Sequence, residues 1–210
     1  MRMLQRFLVA LLPVLTLLAA CGGESSAGPF YQAVPKVCDL VSKQVTSSYV
    51  GDVTGKRTDF VAKYVDKEGG VTADECSWEH TQEIRSGDRL LRTYSRRLTV
   101  AVIRYPEKDD YGHTGTQLAE NDYESTKKAA RDTNALIREE PGLGQGAFLQ
   151  NMGGPYILLK YRRGNLIVEI HSYFFDSTDP QAAKSENRQL LQSGVLAVAR
   201  EVDAKLASSR

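Results

Sequence analysis

An apolar run of about twelve residues at positions 7–18, broken only by Pro13 and Thr16, decides which solvent the rest of this chain folds in. Arg2 and Arg6 stand before it, and Leu18, Ala19, Ala20 and Cys21 close it, followed by Gly22 and Gly23. A basic start, a short apolar stretch and small residues at its end mark a secretory signal. A bilayer span needs about twenty apolar residues, so the run reads as a segment that is removed. Residues 1–20 are thus expected to be a signal peptide, and the remainder is expected to fold in an oxidising compartment.

Leu18, Ala19, Ala20 and Cys21 also resemble the bacterial lipobox. That resemblance implies diacylglycerol on the Cys21 sulfur and cleavage just before it. The lipid would hold the chain on the extracytoplasmic face of the cell membrane, each buried methylene contributing about 0.8 kcal/mol. An ordinary signal peptide with an incidental cysteine is the alternative, but Cys21 stands where the lipobox requires it.

Of three cysteines, Cys38 and Cys76 are left once Cys21 carries lipid. An even pair outside the cytoplasm is expected to form a disulfide. A redox or metal pair would call for a Cys-x-x-Cys spacing or nearby histidines, and neither is present. Loss of Arg2 and Arg6 with the signal moves the formal charge from +1 to −1. Near-neutrality argues against nucleic acid as a partner. The length after the signal suits one domain.

Residues 21–35 are rich in Gly, Ser and Ala, with Pro29 and Pro35, and are expected to be a flexible tether. A single domain is expected over 36–207. Val37, Leu40, Val41 and Val45 follow the spacing of an apolar helix face. Residues 51–72 give no clear pattern, although Phe60, Val61, Tyr64 and Val65 suit a short helix or strand. Strands are expected from Glu75 and across 90–105, with Ser86, Gly87 and Asp88 between them. Leu118, Tyr123, Thr126, Ala130, Leu136 and Ile137 predict a helix over 116–139. Three strands follow at 147–150, 156–162 and 165–175, with Arg163, Gly164 and Asn165 as a tight turn. Ala183, Leu190, Leu191, Val195, Val198, Val202 and Leu206 predict a last helix over 180–206. The expected fold is α+β, an antiparallel sheet of about five strands in the order α-ββ-α-βββ-α, with helices covering one face.

Cys38-Asp39-Leu40 opening a helix, Cys76-x-Trp78 on a strand, and Gly142-Leu143-Gly144 leading toward Ala147 form a pattern. Over residues 36–205 it resembles actinobacterial cell-envelope lipoproteins that carry a domain of unknown function. The resemblance implies a Cys38–Cys76 bridge and an α+β fold, more distantly similar to the extracellular sensor domains of mycobacterial receptor kinases. It carries over no catalytic residue.

No reaction motif survives inspection. Gly51, Gly55, Lys56 and Arg57 echo a phosphate loop, but three residues separate the glycines and Arg57 stands where Ser or Thr belongs. Gly142, Gly144 and Gly146 follow an expected helix and precede a strand, the reverse of a dinucleotide loop. His80, His113 and His171 form no metal-ligand spacing; His113 near Asp109 and Asp110 reads as a solvated loop. No cofactor, metal or catalytic set is expected. The sheet surface is the better candidate. Leu166, Val168 and Ile170 share one face of their strand, and Glu169, His171 and Tyr173 the other. Lys160 and Arg162 are expected to point outward beside them, with Tyr94 and Arg96 adding to this face. An ordinary solvated sheet face is the alternative. The expected function is a non-catalytic module binding a small ligand or an envelope protein. An envelope hydrolase or transferase and an accessory subunit of a membrane complex are the other readings.

Overall fold

The computed structural model describes residues 28–59, 63, 65–178 and 186–209. Cys21, residues 1–20 expected as a signal, Phe60, Val61, Tyr64 and Ala183 lie outside them. The fold is α+β, and its strands form one antiparallel sheet. These strands are β1 (Lys56–Arg57), β2 (Thr72–Ser86), β3 (Arg89–Arg104), β4 (Leu136–Glu139), β5 (Ala147–Asn151), β6 (Tyr156–Arg163) and β7 (Leu166–Asp176). Their spatial order is β1-β2-β3-β7-β6-β5-β4. The sheet therefore has seven strands where about five are expected.

The first helical segment is interrupted. Val37–Asp39 makes a 3-10 turn, and α1 (Lys43–Tyr49) starts afresh at Ser42, whose hydroxyl accepts from the Val45 N–H at 3.4 Å. Helix α2 (Gly115–Asp132) opens with a capping box: Gln117 N–H donates to Thr114 Oγ1, and Thr114 N–H to Gln117 Oε1. It stops seven residues before the expected end at 139. Asn134 turns left-handed at φ 55°, a conformation that short polar side chains tolerate. Leu136 and Ile137 then leave the helical stripe for β4, where Leu136 pairs with Gln150 of β5 and Ile137 sits at a register shift. The Gly142–Gly146 loop accordingly joins strand to strand. Helix α3 (Glu186–Ser208) buries Leu191, Val195, Val198, Val202 and Leu206, whereas Leu190 is exposed.

Helices cover both faces of the sheet, not one. Helix α3, α1 and the N-terminal segment pack on Leu98, Val100, Leu159, Val168 and Ile170. Helix α2 packs on the opposite face, with Ala119, Tyr123 and Ala130 against Phe148 and Ile167. A Cys38–Cys76 disulfide, with Cα atoms 5.1 Å apart, ties the 3-10 turn to β2. Buried Asp74 strengthens that junction: it accepts from the Val37 N–H at 2.8 Å and pairs with Arg57 of β1.

Residues 28–35, expected as the end of the tether, lie on the domain. Tyr31 is buried, its N–H donates to Asn165 Oδ1 at 2.8 Å, and its hydroxyl donates to the Leu206 carbonyl at 3.0 Å. Asn165 in turn donates to the Tyr31 and Tyr105 carbonyls. Gly164 makes the approach possible, since a Cβ there would lie 1.7 Å from the Pro29 carbonyl oxygen. A Gly-, Ser- and Pro-rich composition hides this because a single aromatic anchor and its distant amide partner hold the segment.

Candidate functional site

Strand register sorts the expected face. Side chains alternate along a strand, so cross-strand neighbours share a face. Ala101 sits opposite Glu169, Thr99 opposite His171, and Arg97 opposite Tyr173. Lys160 stands beside Glu169, and Tyr156 beside Tyr173. Glu169, His171, Tyr173, Lys160 and Arg162 are therefore brought to one face. Tyr94 and Arg96 are not. They share the parity of Leu98 and Val100 and lie on the face that α1 and α3 cover. There Arg96 donates to the Tyr49 carbonyl at 3.0 Å, and its guanidinium lies 5.1 Å from the Tyr94 ring centre and 5.7 Å from that of Phe174.

Lys160 and Arg162 do not point into solvent either, because α2 lies over them. Lys160 is 3% exposed. Its Nζ is 3.0 Å from Asp122 Oδ2, 3.1 Å from Glu169 Oε1 and 3.0 Å from Thr126 Oγ1. Asp122 and Thr126 come from α2, so one lysine ties helix to sheet. His171 Nε2 lies 3.1 Å from Glu169 Oε2. Arg162 faces Glu120 of α2 at 3.8 Å.

Burial alone would push the Glu169 carboxyl up. The His171 hydrogen bond and the Lys160 charge overcome it and bring the pKa down to about 2. Tyr105, above the same cluster, is pushed up by burial and then by the Asp122 charge. The floor is thus a set of polar and charged side chains that satisfy one another.

Above this floor opens a cavity of about 710 Å³. Val65, Val71, Ile103, Met152 and Ile157 supply apolar wall; Asp66, Asp122, Lys160 and Glu169 supply charged side chains, and His171 an imidazole. A second cavity of about 430 Å³ adjoins it and shares Tyr156 and His171. Its other walls are Thr58, Ser77, Glu79, Arg97, Thr99 and Tyr173. Both volumes suit small-molecule sites. Tyr156 and Tyr173 stack at the junction with ring centres 4.5 Å apart, and Tyr156 is 45% exposed. Arg97 Nη2 donates to both Glu79 oxygens, at 2.8 and 2.9 Å. Ser77 and Thr99 hydroxyls are 3.0 Å apart.

Asp122, Arg97, Thr99, Glu79 and Tyr156 were not expected at the site. Arg97 and Thr99 follow from alternation once β3 is registered on β7, and Asp122 follows only from the docking of α2. The His113 loop is separate: His113 Nδ1 lies 2.8 Å from Asp109 Oδ2 just before α2, a local contact that shapes the turn. Among the described residues, no group of three or more His, Cys, Asp or Glu side chains is arranged to hold a metal ion, and no helix is long and apolar enough to cross a membrane. No protein-family model matches this chain, and neither a curated protein nor a solved structure matches it.

Proposed function

We propose that this chain is a lipid-anchored extracytoplasmic protein whose folded domain binds a small ligand in the cavity between the sheet and α2. One observation carries the binding half of this reading: apolar walls stand over a floor whose charges are already paired. Such a site offers contact area and shape with little demand for a charged reactant. The lipobox-like Leu18–Cys21 stretch and the resemblance to envelope lipoproteins support the anchoring half. Six residues separate Cys21 from Gly28, a reach of roughly 25 Å at full extension, so an anchored domain stays near the bilayer.

A second reading draws on Asp122, Glu169 and His171 lining one cavity, as an acid–base hydrolase or transferase would need. General acid–base work favours a pKa near the working pH. Glu169, held down to about 2 and tied to Lys160, is far from that. The binding reading is therefore the stronger.

Two measurements test it. Cys21→Ala is expected to move the protein from the membrane fraction to the medium, or to leave it unprocessed; undiminished mature protein in the membrane would refute the anchor. Solvent extraction of the native lipoprotein, followed by mass spectrometry, is expected to release a stoichiometric small molecule that is absent from a variant with Ile103→Trp filling the cavity. Equal recovery from both proteins would refute the cavity as the site.

A further inference from the structure

We infer that the ligand is an amphiphile with an apolar body and an uncharged, hydroxyl-rich ring as its head. This rests on the cavity reading above and names the class of molecule it takes. The two cavities share Tyr156 and His171 as a common wall, so one molecule can span both. Their chemistries differ. The larger presents Val65, Val71, Ile103 and Met152 to an occupant. Lys160 there is already held by Asp122 and Glu169 at 3.0–3.1 Å, so an anionic group seeking that ammonium would have to displace a partner. Apolar surface buried against these walls gains roughly 25 cal/mol per Å².

The smaller compartment is built for hydrogen bonding without net charge. Ser77 and Thr99 bring hydroxyls 3.0 Å apart, and Thr58, whose hydroxyl donates to Glu75, keeps oxygen lone pairs that can accept. Arg97 and Glu79 bring one charge of each sign, bonded through both carboxylate oxygens. A neutral hydroxyl can accept from the guanidinium and donate to the carboxylate while that pair stays intact. An anionic or cationic head gains little there, because each member of this half-exposed pair is already neutralised by the other at short range. The stacked Tyr156 and Tyr173 rings stand at the junction. The half-exposed Tyr156 face is flat and apolar, a surface on which the C–H face of a six-membered polyol ring lies while its hydroxyls reach the rim. An aliphatic or compact ionic head gains nothing from that platform.

The test uses the full-length protein in native membrane vesicles and three photoreactive probes. Each has a diazirine in a ten-carbon alkyl chain; the heads are glucoside, carboxylate and trimethylammonium. After irradiation, adducts are located by peptide mass spectrometry. The glucoside probe is expected to label peptides carrying Ile103, Met152 or Val71 about tenfold more than either charged probe. Tyr156→Ala is expected to cut that labelling about tenfold, and Tyr156→Phe to preserve it. Intact disulfide and unchanged protease resistance confirm that the variants are folded. Equal or greater labelling by a charged probe, or undiminished labelling of Tyr156→Ala, overturns the assigned head class and leaves the cavity reading standing. No cavity labelling by any probe, together with no small molecule in the solvent extract, overturns both.

Discussion

Lys160→Met is expected to lower the free energy of unfolding by about 3–5 kcal/mol, the usual cost of removing one partner from a buried ion pair. The side chain is 3% exposed and touches two carboxylates on different elements, Asp122 of α2 and Glu169 of β7. Without the ammonium, Glu169 keeps only His171 beside it, and Asp122 loses its partner on the sheet. Methionine keeps the length and the packing, so the loss reports charge rather than volume. Adding Asp122→Asn and Glu169→Gln to Lys160→Met is expected to recover much of the loss, since a neutral set removes the desolvation cost along with the attraction. Urea denaturation at neutral pH measures all of these. The acid limb gives an independent check. Glu169 has a folded pKa of about 2, below its ordinary 4.5. A depressed folded pKa stabilises fully above the unfolded value, and the gain is lost as pH falls from about 4.5 toward 2. Wild-type protein should lose stability steeply across that window. Lys160→Met, lacking one cause of the depression, should show a shallower fall. A variant within about 1 kcal/mol of wild type, with the same acid profile, would refute the tie between helix and sheet.

Much of this fold can be read from the chain because its strands are long and its helices strongly periodic. Both halves of the β2–β3 hairpin, the Gly164 turn and the α3 stripe through Leu206 follow from alternation and 3.6-residue spacing. Less legible are elements whose signal is weaker than a tertiary contact. Lys56–Arg57 is a two-residue strand, held by its pairing with Ser77 and Cys76 and by the Arg57–Asp74 pair. Leu136 and Ile137 fit the α2 stripe by spacing, and only the left-handed Asn134 diverts them into a strand. The site was legible in part for the same reason. Glu169, His171 and Tyr173 share a face by alternation within one strand. Choosing their neighbours requires cross-strand register, which puts Arg97 and Thr99 beside them and Tyr94 and Arg96 behind the sheet. Lys160 carries the parity expected of a solvent-facing residue. It is buried because α2 docks over it, a contact that no local pattern encodes.

Replacing both Cys38 and Cys76 with alanine is expected to cost about 4 kcal/mol, the loop-closure entropy of a span of this size. The disulfide closes a separation of 38 residues. That stretch contains the shortest helical elements and the shortest strand of the described fold: the end of the 3-10 turn, the short helix α1 and the two-residue strand β1. Leu40, Val41, Tyr49 and Val50 within it are all buried against the sheet and α3, so the native state needs the segment docked. Freed of the crosslink, the unfolded chain gains conformations that the folded chain cannot use. Alanine rather than serine at position 76 avoids leaving a hydroxyl in a site that is 0% exposed. For a chain of this length the loss corresponds to a melting temperature roughly 8–16 °C lower. The denaturant m-value should rise, because an uncrosslinked chain exposes more surface when it unfolds. Reduction of the wild-type protein should move its midpoint toward that of the double variant, since both remove the same constraint. A midpoint unchanged by either treatment would mean that side-chain packing alone fixes the N-terminal segment. The expected loss also bears on where the chain can work. Protein made in a compartment that keeps thiols reduced carries the same deficit until it is oxidised. An exported, oxidised domain would not, and this makes the bridge a physical counterpart to the export proposed from residues 1–20.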